Sequence, residues 1–196
     1  MKTRPYHHGD LRAALLTLAE QTLRENGPGA VSLRELAREA GVSPAAPSRH
    51  FKGKQALLDA LALEGFDRLT VELGGALERA GDSFGDRMAA VMRAYLGFAT
   101  ANAALHDLMY EFKYAPSTSA ELAEARQRLG NLTAELVEEG QRRGEVRADP
   151  LDSVTLPLTA TLQGFAALVV GGAIPADRIE RSLDDTIAFV LRGYAP

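Results

Sequence analysis

Start and stop signals for helices punctuate this chain from end to end, while strict apolar–polar alternation is nearly absent. That contrast confines it to an all-α fold. Asp10 reads as the N-cap of a first helix with Leu11, Leu15, Leu18, Ala19 and Thr22 on one face, and Gly27, Pro28 and Gly29 stop it. Ser32 and Glu35 have capping-box spacing: the serine oxygen accepts from the backbone three residues on, and the glutamate reaches back. The short helix they open turns Leu33, Leu36, Ala37 and Ala40 inward and ends at Gly41. Ser43 as N-cap and Pro44 as N1 open a third helix. A long pattern covers 54–80, and a second capping box, Ser83 with Asp86, opens a helix with Phe84, Met88, Met92, Tyr95 and Ala99 on one side. Residues 103–112 form a short aromatic-rich helix ending near Pro116. Further helices fit 119–143, 150–172 and 176–193, the last striped by Ile179, Leu183, Ile187, Val190 and Tyr194. The pattern predicts about nine helices, in an N-terminal three-helix head and a larger helical body.

A chain of 196 residues, 46% apolar and 24% charged, is an ordinary globular protein of one or two units. It has no cysteine, which excludes a disulfide framework, a thiolate metal site and a thiol nucleophile. The net charge of −4 argues at first against a nucleic-acid partner. Residues 1–60, however, carry 9 Lys/Arg against 6 Asp/Glu and three of the four histidines, whereas 61–196 carry 13 against 20. A basic first third on an acidic body suggests two tasks for one chain. The opening residues have no apolar signal core, and a cytoplasmic location is expected. Residues 153–176 contain no charge, but Pro157, several polar residues and Gly164, Gly171 and Gly172 interrupt them, so a buried or interface helix is expected rather than a membrane span.

Residues 33–51 carry the chemistry. Two short helices joined through Ala40, Gly41, Val42 and Ser43 have the layout of a helix-turn-helix, with a small residue (Ala37) at the crossing and Leu36 and Val42 as anchors. Such a unit sets its second helix in the major groove while the first crosses the backbone. Many helical hairpins share the Ala-x₃-Gly spacing, so the pattern by itself leaves a plain hairpin open.

The run from Ser32 through Ser43-Pro-Ala-Ala-Pro-Ser-Arg-His-Phe to Lys54, followed by Ala56-Leu57-Leu58, resembles the DNA-binding signature of the TetR family of transcriptional regulators. The opening Tyr6-His-His-Gly-Asp-Leu-Arg12 is similar to the entry of the first helix in one branch of that family, so the specific likeness covers about 6–66. The resemblance implies a DNA-binding head over 1–53 and an effector-binding, dimerising domain over 54–196. It implies a homodimer through the last two helices, a pseudo-palindromic double-stranded operator, and a small-molecule effector that releases the DNA. Carried over position by position, Ser32 and Arg34 meet phosphates, and Ser43, Pro44, Ala45, Ala46, Ser48, Arg49 and His50 lie in or beside the major groove. Lys54 meets a further phosphate. Ser48 stands where the family usually has a tyrosine, Pro47 lacks the N–H that would bond to Ser43, and Gly53 replaces a polar N-cap. Base reading then falls on Arg49 and His50, with Ala45 and Ala46 available to thymine methyls. Arg4 and Tyr6, with Lys2, His7 and His8, form a basic arm that can settle along the DNA.

In the body, Tyr95, His106, Tyr110, Thr161 and Phe165 are candidates for an effector cavity, among Met88, Met92, Met109 and Phe112; methionines and aromatics at helical spacing are equally ordinary core. The uncharged helix and the stripe over 179–194 fit a four-helix interface between two subunits. No cofactor, metal or enzymatic activity is expected: four scattered histidines give no zinc spacing, and no nucleophile elbow or phosphate loop occurs. A helical interaction module that does not bind DNA, and a TetR-like activator, are the competing readings.

Overall fold

The computed structural model describes residues 11–113 and 119–196, with backbone alone for 111–113. Asp10, Pro116, the arm residues Lys2, Arg4, Tyr6, His7 and His8, and the side chain of Phe112 lie outside the described residues. The described chain is all-α, with eight α-helices and two 3₁₀ turns: α1 (Leu11–Ala30), α2 (Leu33–Glu39), α3 (Lys54–Glu78), α4 (Phe84–Ala101), α5 (Ala103–Lys113), α6 (Ala120–Arg142), α7 (Leu151–Val170) and α8 (Ile179–Tyr194). The 3₁₀ turns are Pro47–Arg49, where a third α-helix was expected, and Ala176–Arg178, which leads into α8.

The chain forms two compact units, one of Met1–Gly65 with Ala104–Ala123 and one of Phe66–Ala103 with Glu124–Pro196. In the first, α1 breaks at Gly27, whose φ of 75° suits a residue without Cβ. The buried face of α1 is Ala14, Leu15, Leu16, Ala19 and Leu23, with Leu11, Leu18 and Thr22 only half-buried. The stripe is therefore rotated from the expected one, and α2 and the 3₁₀ turn both pack on α1. Helix α5 packs on α3 where Gly65 lies: a Cβ there would stand 2.6 Å from Met109 Sδ and 3.2 Å from Leu105 Cγ.

In the second unit, Ser83 caps α4 as expected, its Oγ accepting from Asp86 N–H at 3.0 Å and donating to Asp86 Oδ2 at 2.7 Å. All five apolar residues expected on the inner side of α4, from Phe84 to Ala99, are buried. Helix α4 packs against α7 and α8. The end of α8 is tied back to the start of α7: Tyr194 Oη donates to Val154 O at 2.6 Å, and the Arg147 N–H donates to Tyr194 O at 3.0 Å. Leu183, Ile187, Val190 and Tyr194 are buried, and Ile179 is half-buried.

Candidate nucleic-acid interface

The turn that aims the candidate reading segment is built around Gly41. Its φ is 69°, the left-handed region where a side chain is strained. The Val42 N–H donates to Ala37 O at 3.0 Å and the Gly41 N–H to Arg38 O at 3.2 Å, the bond pair of a Schellman close. Ser32 begins α2 in extended conformation, but its side chain makes no capping bond. The expected box fails because the Glu35 carboxylate is taken by Arg38, whose Nε donates to it at 2.8 Å. The helix start is then fixed by the Leu36 N–H donating to Ser32 O at 3.0 Å.

Residues 43–51 do not form the α-helix that Ser43 and Pro44 were expected to open. An α-helix needs residue 47 to donate to Ser43 O, and Pro47 has no N–H. The Ala46 N–H donates to Ser43 O at 2.9 Å, that of Arg49 to Ala46 O at 3.2 Å and that of His50 to Pro47 O at 2.9 Å, each one residue tighter than α. Ser48 Oγ donates to Ala45 O at 2.7 Å, using its only proton on the backbone. Pro47 is buried in the head, while Ser43, Pro44, Ala45, Ser48, Arg49 and His50 are exposed and Ala46 is half-buried. The proline that disrupts the helix is thus also what anchors the segment, so the side chains on its other side face outward. Arg34 is exposed and Ser32 half-buried. Lys54, though exposed, donates through Nζ to Gly29 O at 2.8 Å, closing the foot of α3 onto the turn after the Gly27 break.

Two residues that spacing did not single out complete the segment's support. The Phe51 N–H donates to Pro47 O at 2.9 Å, and its side chain is buried. The Arg12 guanidinium lies over the Phe51 ring, 5.5 Å from Cζ to the centroid. An arginine early in α1 and an aromatic after the segment are visible in the sequence, but nothing local pairs them.

The candidate effector residues fall in both units. His106 and Tyr110, one turn apart on α5, are brought together with ring centroids 4.6 Å apart, in the unit that contains the head. His106 is buried, and desolvation lowers its pKa, with Asp107 pulling it back up. Tyr95, Thr161 and Phe165 belong to the other unit, where Tyr95 is buried and the other two are half-buried. Thr161 Oγ1 donates to Pro157 O at 2.8 Å, so its hydroxyl proton is used within α7.

Helix α7 is long and apolar enough to cross a membrane, with mean hydropathy 1.5. One face, from Val154 to Val169, is buried in its own unit. The opposite side leaves Leu156 at 70% and Leu168 at 51% exposed, and on α8 Phe189 is 67% exposed. Gly164 has open space where a Cβ would be, Gly171 meets only its own helix, and Gly172 closes α7 at φ 71°.

Residues 15–61 match the family described as bacterial regulatory proteins, tetR family, and residues 88–190 match the tetracyclin repressor-like C-terminal domain. Among solved structures, a protein with unknown function from Rhodococcus sp. RHA1 is 42% identical with a TM-score of 0.91, covering 99% of this chain and 100% of that one. A tetR-family bacterial regulatory protein from Rhodococcus RHA1 is 22% identical with a TM-score of 0.74, covering 93% and 96%. The transcriptional regulator FadR from Bacillus subtilis, in complex with stearoyl-CoA, is 15% identical with a TM-score of 0.77, covering 92% and 98%. No curated protein matches the chain.

Proposed function

The chain belongs to the TetR family of DNA-binding transcriptional regulators, and on that premise we propose that it acts as a homodimeric repressor released from its operator by a small molecule. The observation that carries the DNA reading is the exposed row over 43–50, aimed by the Gly41 close and anchored beneath by Pro47. Ser32 and Arg34 meet phosphates, as does Lys54 once its ammonium exchanges Gly29 O for a phosphate oxygen. Arg49 and His50 read base edges. The operator is a double-stranded pseudo-palindrome with half-sites roughly 34–36 Å apart, and the protein works in the cytoplasm, where that DNA is.

Self-association rests on the outer side of α7 and α8. Exposed Leu156, Leu168 and Phe189 form a surface that a second copy covers, apolar at its centre as homodimer interfaces are. An effector that prefers the state with the heads apart lowers operator affinity, and by linkage the operator lowers effector affinity by the same factor. Long-chain acyl-CoA thioesters come first in a screen, since a protein of this fold holds stearoyl-CoA. A true effector raises the melting temperature with its concentration.

Genomic footprinting with the full chain tests the reading. Protected palindromes, bound in vitro with a steep salt dependence, support it, because counterion release requires phosphates to be neutralised. Binding that ignores salt, or no protected sites at all, overturns it in favour of a protein-interaction module. Activation of the adjoining genes on binding would overturn the repressor assignment alone.

A further inference from the structure

Beside the reading segment, the structure holds a cation that the helix-turn-helix spacing does not assign. Arg12 is exposed in the first turn of α1, with its guanidinium over the ring of Phe51 at 5.5 Å. Among the described residues it is paired with no carboxylate. Arg38 of the same head differs in that Glu35 already neutralises it. Phe51 is 3% exposed, and its N–H closes the 3₁₀ turn on Pro47 O at 2.9 Å. The ring is therefore part of the same rigid piece as Arg49 and His50, and whatever rests on it keeps a fixed distance from them.

We propose that Arg12 is a phosphate-binding residue, held over Phe51 so that it grips the DNA backbone next to the bases that Arg49 and His50 face. The inference rests on the DNA-binding reading above. A guanidinium on an aromatic face keeps its planar fan of N–H donors directed outward, the geometry that matches two phosphate oxygens. The ring removes rotamer freedom before the DNA arrives, which lowers the cost of ordering a long side chain on binding. In a head whose first 60 residues carry a net charge of only +3, Arg12 included, each cation free to meet a phosphate counts substantially. Phe51 is a positioning residue that acts through Arg12.

The test uses the full chain, a duplex recovered by binding-site selection on the wild type, and an unrelated duplex of equal length. Arg12→Met keeps the stem and removes the charge, and since the side chain is exposed the fold is undisturbed. Each phosphate contact contributes about 0.9 to the slope of log affinity against log salt, so losing one per head makes a dimer's slope shallower by about 1.8. Between about 50 and 200 mM salt the ratio of wild-type to variant affinity then shrinks about 12-fold. Arg12→Lys retains the wild-type slope. In a Phe51→Leu background, Arg12→Met has a smaller effect than it has alone. A slope for Arg12→Met parallel to the wild type overturns the proposal, as does a loss confined to one base pair, which would make Arg12 a base reader. If the wild type binds neither duplex with salt dependence, it is the DNA-binding reading itself that has failed.

Discussion

Gly130, Gly65 and Gly140 all lie within helices, and replacing each with alanine tests how far local space decides stability. Alanine is favoured over glycine in a helix interior by about 0.8–1 kcal/mol, whatever the tertiary surroundings. At Gly130 a Cβ meets nothing within 4 Å, so the full gain is expected. At Gly140 it would stand 2.6 Å from Val146 Cγ2 and 2.8 Å from Phe84 Cδ2. Neither group can retreat: Val146 is β-branched and 2% exposed, and the Phe84 ring sits edge-on to Tyr194 with centroids 6.2 Å apart. Overpacking of that kind costs about 1–3 kcal/mol, which leaves Gly140→Ala with a net loss of up to about 2 kcal/mol. At Gly65 the obstacle is the Met109 thioether, fully buried but unbranched, so the two effects nearly cancel. Since the chain has no tryptophan, the measurement is a thermal melt followed by circular dichroism at one fixed protein concentration. At about 2–4 °C per kcal/mol for a chain of this size, Gly130→Ala should melt about 2–12 °C above Gly140→Ala, with Gly65→Ala between them. Equal melting temperatures for the Gly130 and Gly140 variants would refute the argument from Cβ clearance.

Burial lowers the pKa of His106, so its contribution to stability is complete above the ordinary value of 6.5 and is lost as the pH falls through the lowered one. The urea midpoint of His106→Gln should decline less steeply below pH 6.5 than that of the wild type. Burial pushes Tyr194 up to about 12, so stability is lost as the pH rises from about 10 through that value. Ultraviolet titration should show one phenol ionising near 12 that is missing in Tyr194→Phe. Phe189→Glu puts a charge on the side of α8 proposed to meet a second copy, and sedimentation at micromolar concentration should show dimers for the wild type and monomers for the variant; a wild type that is itself monomeric would sink the proposed dimer. Arg49→Ala should relax preference at one base pair, at a cost of about 1–3 kcal/mol in discrimination. Uniform weakening with base preference intact would reassign Arg49 to phosphate.

How much could be read from the sequence depended on whether one residue's chemistry had a competitor. The stops at Gly27 and Gly41 were legible because a positive φ is a demand that few residues besides glycine meet. The cap at Ser83 was legible because, among the described residues, no cation pairs with the Asp86 carboxylate that Ser83 Oγ meets. Ser32 and Glu35 have the same spacing, but Arg38 lies one turn on and takes the carboxylate. The missing N–H of Pro47 was plain to see, yet its consequence was larger than one irregular turn. Pro47 is buried, and that depends on α1 and α2 packing over it, which no local pattern records. For the same reason no local signal marks α5, with His106 and Tyr110, as clustering with the head. That grouping depends on Gly65 admitting Met109 across more than forty residues of chain.

The two prolines bear on how such a head can select its site. Pro44 and Pro47 fix φ, Ser48 Oγ is tied to Ala45 O, and Phe51 closes the segment from below, so the exposed row is ordered before it meets DNA. An ordered segment has little entropy left to lose, and its contacts contribute nearly their full strength. It is also short, and few of its exposed side chains can read bases. On the proposed reading, selectivity then rests on Arg49 and His50, and affinity on phosphate contacts. A head of net +3 supplies few of those, while the remaining residues at −7 oppose the approach of any other face to DNA. The proposed dimer would resolve this, because its second head would bind at the high effective concentration set by the first. On this reading a separation of the heads that breaks simultaneous engagement forfeits most of the affinity without altering a single contact within either head.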